Sequence, residues 1–259
     1  MRNELLAFSA LGSALVLFLL IPIALCLAAG APHLPEVVAD AEALRALYLS
    51  LHAGVASSLL VGFTGTPLAY ALSRSRSRLA RSVEALVNVP LALPHSVAGI
   101  MVLLAYNSRA PLGSLLARAG IVVEDSYWGV VAAMAFVSAP IFVSTARAGF
   151  ESVDVELENV ARTLGASRLS TFLKVTLPLA SRHLLAGLLL TFARAISEVG
   201  AVMIVAYYPK VAATLIVERF LGYGLEEALG LSTLLALVSL GVFAALRAVS
   251  PGGGERGGA

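Results

Sequence analysis

Six stretches of this chain stay apolar for the length that a bilayer demands: residues 5–30, 51–72, 83–106, 127–150, 183–207 and 228–249. A transmembrane helix needs about 20 such residues at a rise of about 1.5 Å each, and only helices and closed barrels satisfy every backbone polar group in lipid. With 13% charged residues in 259, the chain has too few charges to solvate a soluble surface of that size. Its mean hydropathy is +0.89. The expected fold is an all-α membrane bundle of six transmembrane helices, one domain over 1–250. The tail "PGGGERGGA", 251–259, has the composition of a disordered end.

The first span competes with a cleaved signal peptide, because "LCLAAGAP" places small residues at Ala29 and Ala31. A signal core is about 7–15 residues and this run is longer, so it reads as a retained helix. Cys26 follows Leu25, where a lipoprotein site wants a small residue, and reads as a small core side chain.

Lysine and arginine near span ends stay on the cytoplasmic side. One set of connecting segments holds Arg2, Arg74, Arg76, Arg78, Arg81, Arg147, Arg162, Arg168, Lys174, Arg182, Arg247 and Arg256; the other holds Arg45, Arg109, Arg118, Lys210 and Arg219. Both termini are therefore expected in the cytoplasm of a cell (plasma) membrane protein. The run "SRSRSRLAR" also resembles a nucleic-acid patch, but directly behind an apolar span it reads as a topology signal, and no nucleic-acid partner is expected.

On that same side, residues 157–178, "LENVARTLGASRLSTFLKVTLP", interrupt the apolar pattern. Leu157, Val160, Ala161 and Leu164 recur at helical spacing and give one apolar stripe, with Glu156, Glu158, Asn159, Arg162 and Thr163 on the other face. Asp154 is the expected cap, Gly165 the left-handed stop, and Ser167 the cap of a second helix with its own stripe of Leu169, Phe172, Leu173 and Leu177. Pro178 is expected to close that helix before the fifth span. The apolar stripes are expected to face the bundle and the polar faces the cytosol. Periodicity leaves two readings open: an interfacial loop resting on headgroups, or a docking element for a soluble partner.

Two spans carry groups that lipid penalises. Arg194 and Glu198 in the fifth each cost about 2.5–3.5 kcal/mol at a helix centre, against about 0.3–0.6 gained per Leu, Ile, Val or Phe. The span is marginal unless the two pair at i, i+4 and face the bundle interior or a water-filled path. A structural ion pair and an anion path are both open readings. Ala193, Ser197, Gly200 and Ala201 form a small-residue face that permits close helix approach, expected near a subunit interface. In the third span, Pro90 and Pro94 each free a carbonyl, which predicts a kink facing a cavity. His95 and Ser96 follow; His95 either lines the path or bonds a freed carbonyl in the packed interior. The candidate path residues are His95, Ser96, Arg194, Ser197 and Glu198.

An intramembrane enzyme needs a nucleophile with its base, or metal ligands spaced as in His-Glu-x-x-His, and neither pattern occurs. No catalytic or metal-binding residue is assigned. A channel or ion-driven carrier leaves the polar island unexplained, and no inverted repeat is visible. The phosphate-cradling Gly-x-x-x-x-Gly-Lys-[Ser/Thr] loop is absent, so ATP and Mg would have to sit on another polypeptide. This chain is expected to hold no cofactor and to be no enzyme.

The polar island resembles the cytoplasmic loop of binding-protein-dependent ABC importer permeases (type I), whose pattern is Glu-Ala-Ala, three residues, Gly, nine residues, then Ile-x-Leu-Pro. Gly165, nine residues, then Val175, Thr176, Leu177 and Pro178 reproduce its second half. The first half departs from it: Asn159, Val160 and Ala161 stand where Glu, Ala and Ala would, with Glu158 one place earlier. "GVASSLLVGFTGTPLAYALSR" resembles the family's second core helix, and the similarity runs from Ser50 to Val249. "VNVPLALPHSVAGI" and "ARAISEVGAVMIVAYYPKVAATLIVERF" resemble the molybdate and tungstate permeases, with sulfate permeases the alternative.

The resemblance implies a six-helix permease whose loop, 151–180, docks on a cytoplasmic ABC ATPase dimer. It places Glu158, Asn159, Ala161, Arg162, Gly165, Ala166, Ser167, Phe172 and Pro178 at or near that contact. It further implies a second copy of the chain, surrounding lipid, and an extracytoplasmic oxyanion-binding protein on the loops around 31–49, 107–126 and 208–226.

Overall fold

A computed structural model describes residues 2–249 of the chain; the tail expected at 251–259 lies outside them. Among the described residues the fold is all helix, without a strand. The helices are α1 (Arg2–Gly30), α2 (Leu34–Ala39), α3 (Ala41–Arg74), α4 (Arg78–Ala92), α5 (His95–Tyr106), α6 (Pro111–Arg118) and α7 (Tyr127–Glu151). They continue with α8 (Val155–Thr163), α9 (Arg168–Thr171), α10 (Leu177–Ile196), α11 (Gly200–Val205), α12 (Ala212–Tyr223) and α13 (Leu225–Val249). A π-helical segment, Phe172–Thr176, joins α9 to α10. Five helices are long and apolar enough to cross a membrane, and the bent pair α4 and α5 makes a sixth crossing if counted as one.

The centre is a packed trio of α3, α7 and α10. Met134, Phe142 and Phe150 of α7 are fully buried there. Three hydroxyls inside the trio are satisfied within their own helices, Ser57 and Ser58 both donating to the Gly54 carbonyl and Ser138 to that of Met134, whereas the buried Thr191 hydroxyl of α10 has no partner among the described residues. In contrast, α1 packs mainly on α13 and exposes Leu15, Phe18 and Leu19, as a lipid-facing helix does.

The fourth span begins at Tyr127 as the sequence predicts, whereas α3 starts ten residues before the predicted 51. Asp40 explains the early start, since its carboxylate accepts the Glu42 and Ala43 amides and caps the helix. The third span is not one kinked helix. Pro90 is absorbed inside α4, and Pro94 holds Leu93 extended at φ −87°, ψ 142°, so α5 leaves at 119° to α4. The fifth span is also broken, with α10 ending at Ile196 and α11 starting at Gly200. Segments read from sequence as outer loops contain α2, α6 and α12.

Pro178 does not close the second loop helix. The Leu177 amide reaches back to the Phe172 carbonyl, and this widened turn carries the chain past the proline into one continuous helix, Arg168–Ile196.

Candidate functional site

The polar island folds as its caps predict. Asp154 accepts the Glu156 amide at the start of α8, and Ser167 accepts the Ser170 amide at the start of α9. Gly165 sits at φ +93°, a conformation that glycine adopts without strain. Around it the Gly165 amide bonds the Arg162 carbonyl and the Ala166 amide bonds the Ala161 carbonyl, the double return that ends a helix.

Glu156, Arg162 and Thr163 of α8 are exposed as expected, but the apolar stripe does not face the bundle and Glu158 does. Leu157, Val160 and Leu164 point outward, Leu164 at 83% exposure, while Glu158 is buried. The reason is a polar socket that the bundle offers in place of an apolar one. Arg74 Nη2 donates to Glu158 Oε1 at 2.7 Å, Thr176 Oγ1 to the same oxygen at 2.9 Å, and the Tyr70 hydroxyl to Oε2 at 3.2 Å. Burial pushes the Glu158 carboxyl up, but the bonds from Arg74, Thr176 and Tyr70 outweigh it and hold the group below the ordinary carboxylate range. Glu158 thus fastens the loop to α3 and to the root of α10.

Of the other predicted loop residues, Asn159 is half-buried and accepts from Arg162 Nη2 at 2.6 Å. Arg162, Gly165, Ser167 and Pro178 are exposed, and Ala161 and Ala166 are half-buried. Phe172 packs inward, its ring 4.8 Å from that of Tyr70 and 6.0 Å from that of Phe150. Sequence reasoning missed Tyr70, Arg74 and Thr176; Arg74 registered there only as a topology charge.

A second cluster forms where the two broken spans meet. Glu198 lies in the gap between α10 and α11 and is fully buried. Its Oε2 is 2.9 Å from Arg194 Nη2 and 2.7 Å from His95 Nδ1, and its Oε1 accepts the Ala201 amide at 2.8 Å. One carboxylate therefore joins the end of α10, the first turn of α11 and the first residue of α5. Arg194 Nη2 also lies 3.0 Å from His95 Nδ1, so the three side chains form one cluster. His95 bonds Glu198 and not a freed carbonyl. The Arg194 and Glu198 pair forms at i, i+4 as predicted.

Close backbone approach makes the meeting possible. A Cβ on Gly200 would lie 2.8 Å from His95 Cβ, and one on Gly99 would lie 2.8 Å from the Ala201 carbonyl oxygen. Gly200 and Ala201 of the small-residue face thus serve contact with α5 of the same chain. Ser197 is exposed, as is Ser96, and His95 keeps 53% of its side chain accessible. Among the described residues no three His, Cys, Asp or Glu side chains are placed to hold a metal ion.

Residues 62–250 match the family described as binding-protein-dependent transport system inner membrane component. The molybdate/tungstate transport system permease protein WtpB of Thermococcus kodakarensis is 43% identical over 95% of this chain and 97% of its own. Its counterpart in Pyrococcus abyssi is 42% identical over 93% of each chain. The sulfate transport system permease protein CysT of Salmonella typhimurium is 36% identical over 66% of this chain and 62% of its own. In fold, the chain superposes on a bacterial alginate ABC transporter solved in complex with a pentasaccharide-bound periplasmic protein, with a TM-score of 0.73 at 18% identity, covering 96% of this chain and 94% of that one. A membrane bundle with these helix breaks, matched over most of its length, belongs to the inner-membrane components of binding-protein-dependent transport systems.

Proposed function

We propose that this chain is the permease subunit of an ABC importer for an oxyanion, molybdate or tungstate ahead of sulfate. The observation that carries the substrate class is 43% identity to a molybdate/tungstate permease across nearly the whole length of both chains, against a lower and shorter match to a sulfate permease. On this reading both termini and the loop helices α8 and α9 are cytosolic, and the outward apolar stripe of α8 seats on the ATPase. One chain offers one such loop and ATPases of this class act in pairs, so two copies form the path. ATP and Mg are held by the ATPase, and this chain holds no cofactor. The binding protein meets the opposite end, around α2, α6 and α12.

The cluster at the two breaks suits a transit point. Arg194, His95, Ser96 and Ser197 offer donors to an anion, while Glu198 neutralises most of the arginine charge, so that a dianion is attracted without being trapped. The experiment is uptake of labelled molybdate, tungstate and sulfate into vesicles holding the intact particle purified from membranes. ATP-dependent molybdate or tungstate uptake that sulfate does not suppress is the expected result. Preference for sulfate would replace the substrate assignment, and uptake without ATP would replace the importer reading by a carrier.

A further inference from the structure

Toward the loop end of the bundle, α3 and α4 both lie on α7 but touch each other little, and a groove is left between them. Its deep part, about 300 Å3, is walled by Val61, Gly65 and Leu68 of α3, Val87 of α4, and Ala139 and Val143 of α7. Its mouth, about 310 Å3, is walled by Leu72, Ala80, Glu84 and Arg147 of the same three helices, together with Arg76 and Arg81. The two parts are one groove, because each helix lines both with a single face: Leu68 and Leu72 on α3, Glu84 and Val87 on α4, and Val143 and Arg147 on α7 follow each other at spacings of three or four. Leu86, 69% exposed, also borders the deep part, so the groove opens on the outside of the bundle.

Charge is confined to the mouth. Arg147 is engaged by Glu84 and Glu151, whereas Arg76 and Arg81 are exposed and make no ion pair among the described residues. Retention of cations on one membrane side explains arginines at this end, but not why two of them stand at the head of an apolar groove. From Leu72 to Val61 the groove follows α3 for about 16 Å, which is one leaflet of a hydrocarbon core about 30 Å thick. We infer that the groove binds one anionic phospholipid, its phosphate at Arg76 and Arg81 and one tail laid over α7 between α3 and α4. Phosphate oxygens give guanidinium groups the paired acceptors they lack here, as at other basic headgroup sites between membrane helices. A soluble anion would meet the arginines and leave the apolar walls bare, and a zwitterionic lipid would leave the arginine charge uncompensated. The tail supplies packing that α3 and α4 do not give each other, and so braces α4, which leads through Leu93 and Pro94 to His95.

The test is native mass spectrometry of the intact particle, held in detergent with phosphatidylglycerol and phosphatidylcholine of equal chains. One phosphatidylglycerol retained per permease copy, with phosphatidylcholine lost, is the expected result. Arg76→Gln with Arg81→Gln should weaken that retention about thirtyfold. Thr64→Phe, which fills the groove from an exposed wall, should expel the lipid with both arginines intact. Equal retention of the two lipids, or phosphatidylglycerol held unchanged in either variant, would overturn the inference. So would its displacement by inorganic phosphate, since the site would then hold a soluble anion. A Thr64→Cys thiol in a Cys26→Ser background should react with a maleimide once excess detergent strips lipid from the assembled particle. Reaction only after the particle separates into single copies would give the groove to a second copy and overturn the lipid assignment.

Discussion

His95 and Glu198 lie 103 positions apart in sequence, and their side chains meet at 2.7 Å across two helix breaks. The contact joins α5 to the hinge between α10 and α11, with Arg194 on the same carboxylate oxygen. The break between α10 and α11 leaves a backbone end that the cluster uses, since Glu198 accepts the Ala201 amide.

Glu198→Ala should therefore destabilise the permease. Removing one member of a fully buried pair costs about 3–5 kcal/mol, but here the groups left behind keep 23% (Arg194) and 53% (His95) of their side chains accessible, so a loss of about 1–3 kcal/mol is expected. A lower unfolding temperature of the detergent-solubilised chain is the measurement. The double variant Glu198→Gln with Arg194→Met should lose less than the sum of its single changes, as coupled residues do. Additive losses would mean that the two side chains act independently.

Gly165→Val should weaken coupling of uptake to ATP hydrolysis. No neighbouring atom lies within 4 Å of a Cβ built there, so the effect is of backbone and not of collision. A branched residue at φ +93° costs about 1–2 kcal/mol and shifts the turn between α8 and α9. Uptake and ATPase stimulation are compared in the same vesicles; if both equal the parent's, the loop does not transmit motion.

Leu164→Asp should leave the permease as stable as the parent, since changes at exposed positions usually stay within about 0.5 kcal/mol. The ATPase should nonetheless be lost from the particle on gel filtration. Co-elution of the two proteins would move the contact away from α8.

The charged network at the opposite end should make stability insensitive to pH over a wide range. Lys210 is 2.7 Å from Glu218, and Arg219 is 2.5 Å from Asp40. The Glu218 hydrogen bond raises the Lys210 pKa above its ordinary 10.5, so this stabilisation is complete below 10.5 and fades as pH climbs through the folded value. The Lys210 bond lowers Glu218 below 4.5; at Asp40 burial acts upward, but the Arg219 bond prevails and lowers it below 3.8. Those carboxylates stabilise above their ordinary values and lose the effect as pH falls through the lowered ones. Thermal unfolding should be flat from about pH 5 to about pH 10 as far as these groups decide it. Glu218→Gln should lower the neutral plateau and remove its share of the fall at both acid and alkaline pH, and an unchanged profile would show that the pair carries no stability.

The spans were legible because lipid leaves a backbone few choices, and the caps at Asp154, Gly165 and Ser167 were legible because each acts on its immediate neighbours. The orientation of α8 was not. A stripe rule assumes that the bundle offers an apolar seat, whereas Tyr70, Arg74 and Thr176 build a polar one from two other helices, and nothing near Glu158 in sequence announces them. The breaks were half legible: Pro94 marked one, but the other contains no proline and depends on a carboxylate that caps from within the gap. Arg194 and Glu198 could be paired from spacing alone, while His95 needed the fold.

The π segment before Pro178 has a mechanical result. It makes residues 168–196 a single shaft of 29 residues, about 43 Å long, rooted beside Gly165 at one end and stopping at Arg194 and Glu198 at the other. A tilt of about 5° at the root would sweep the far end through about 4 Å at that length. A proline that merely stopped the helix would have left a slack joint in this place; the wider turn leaves a lever.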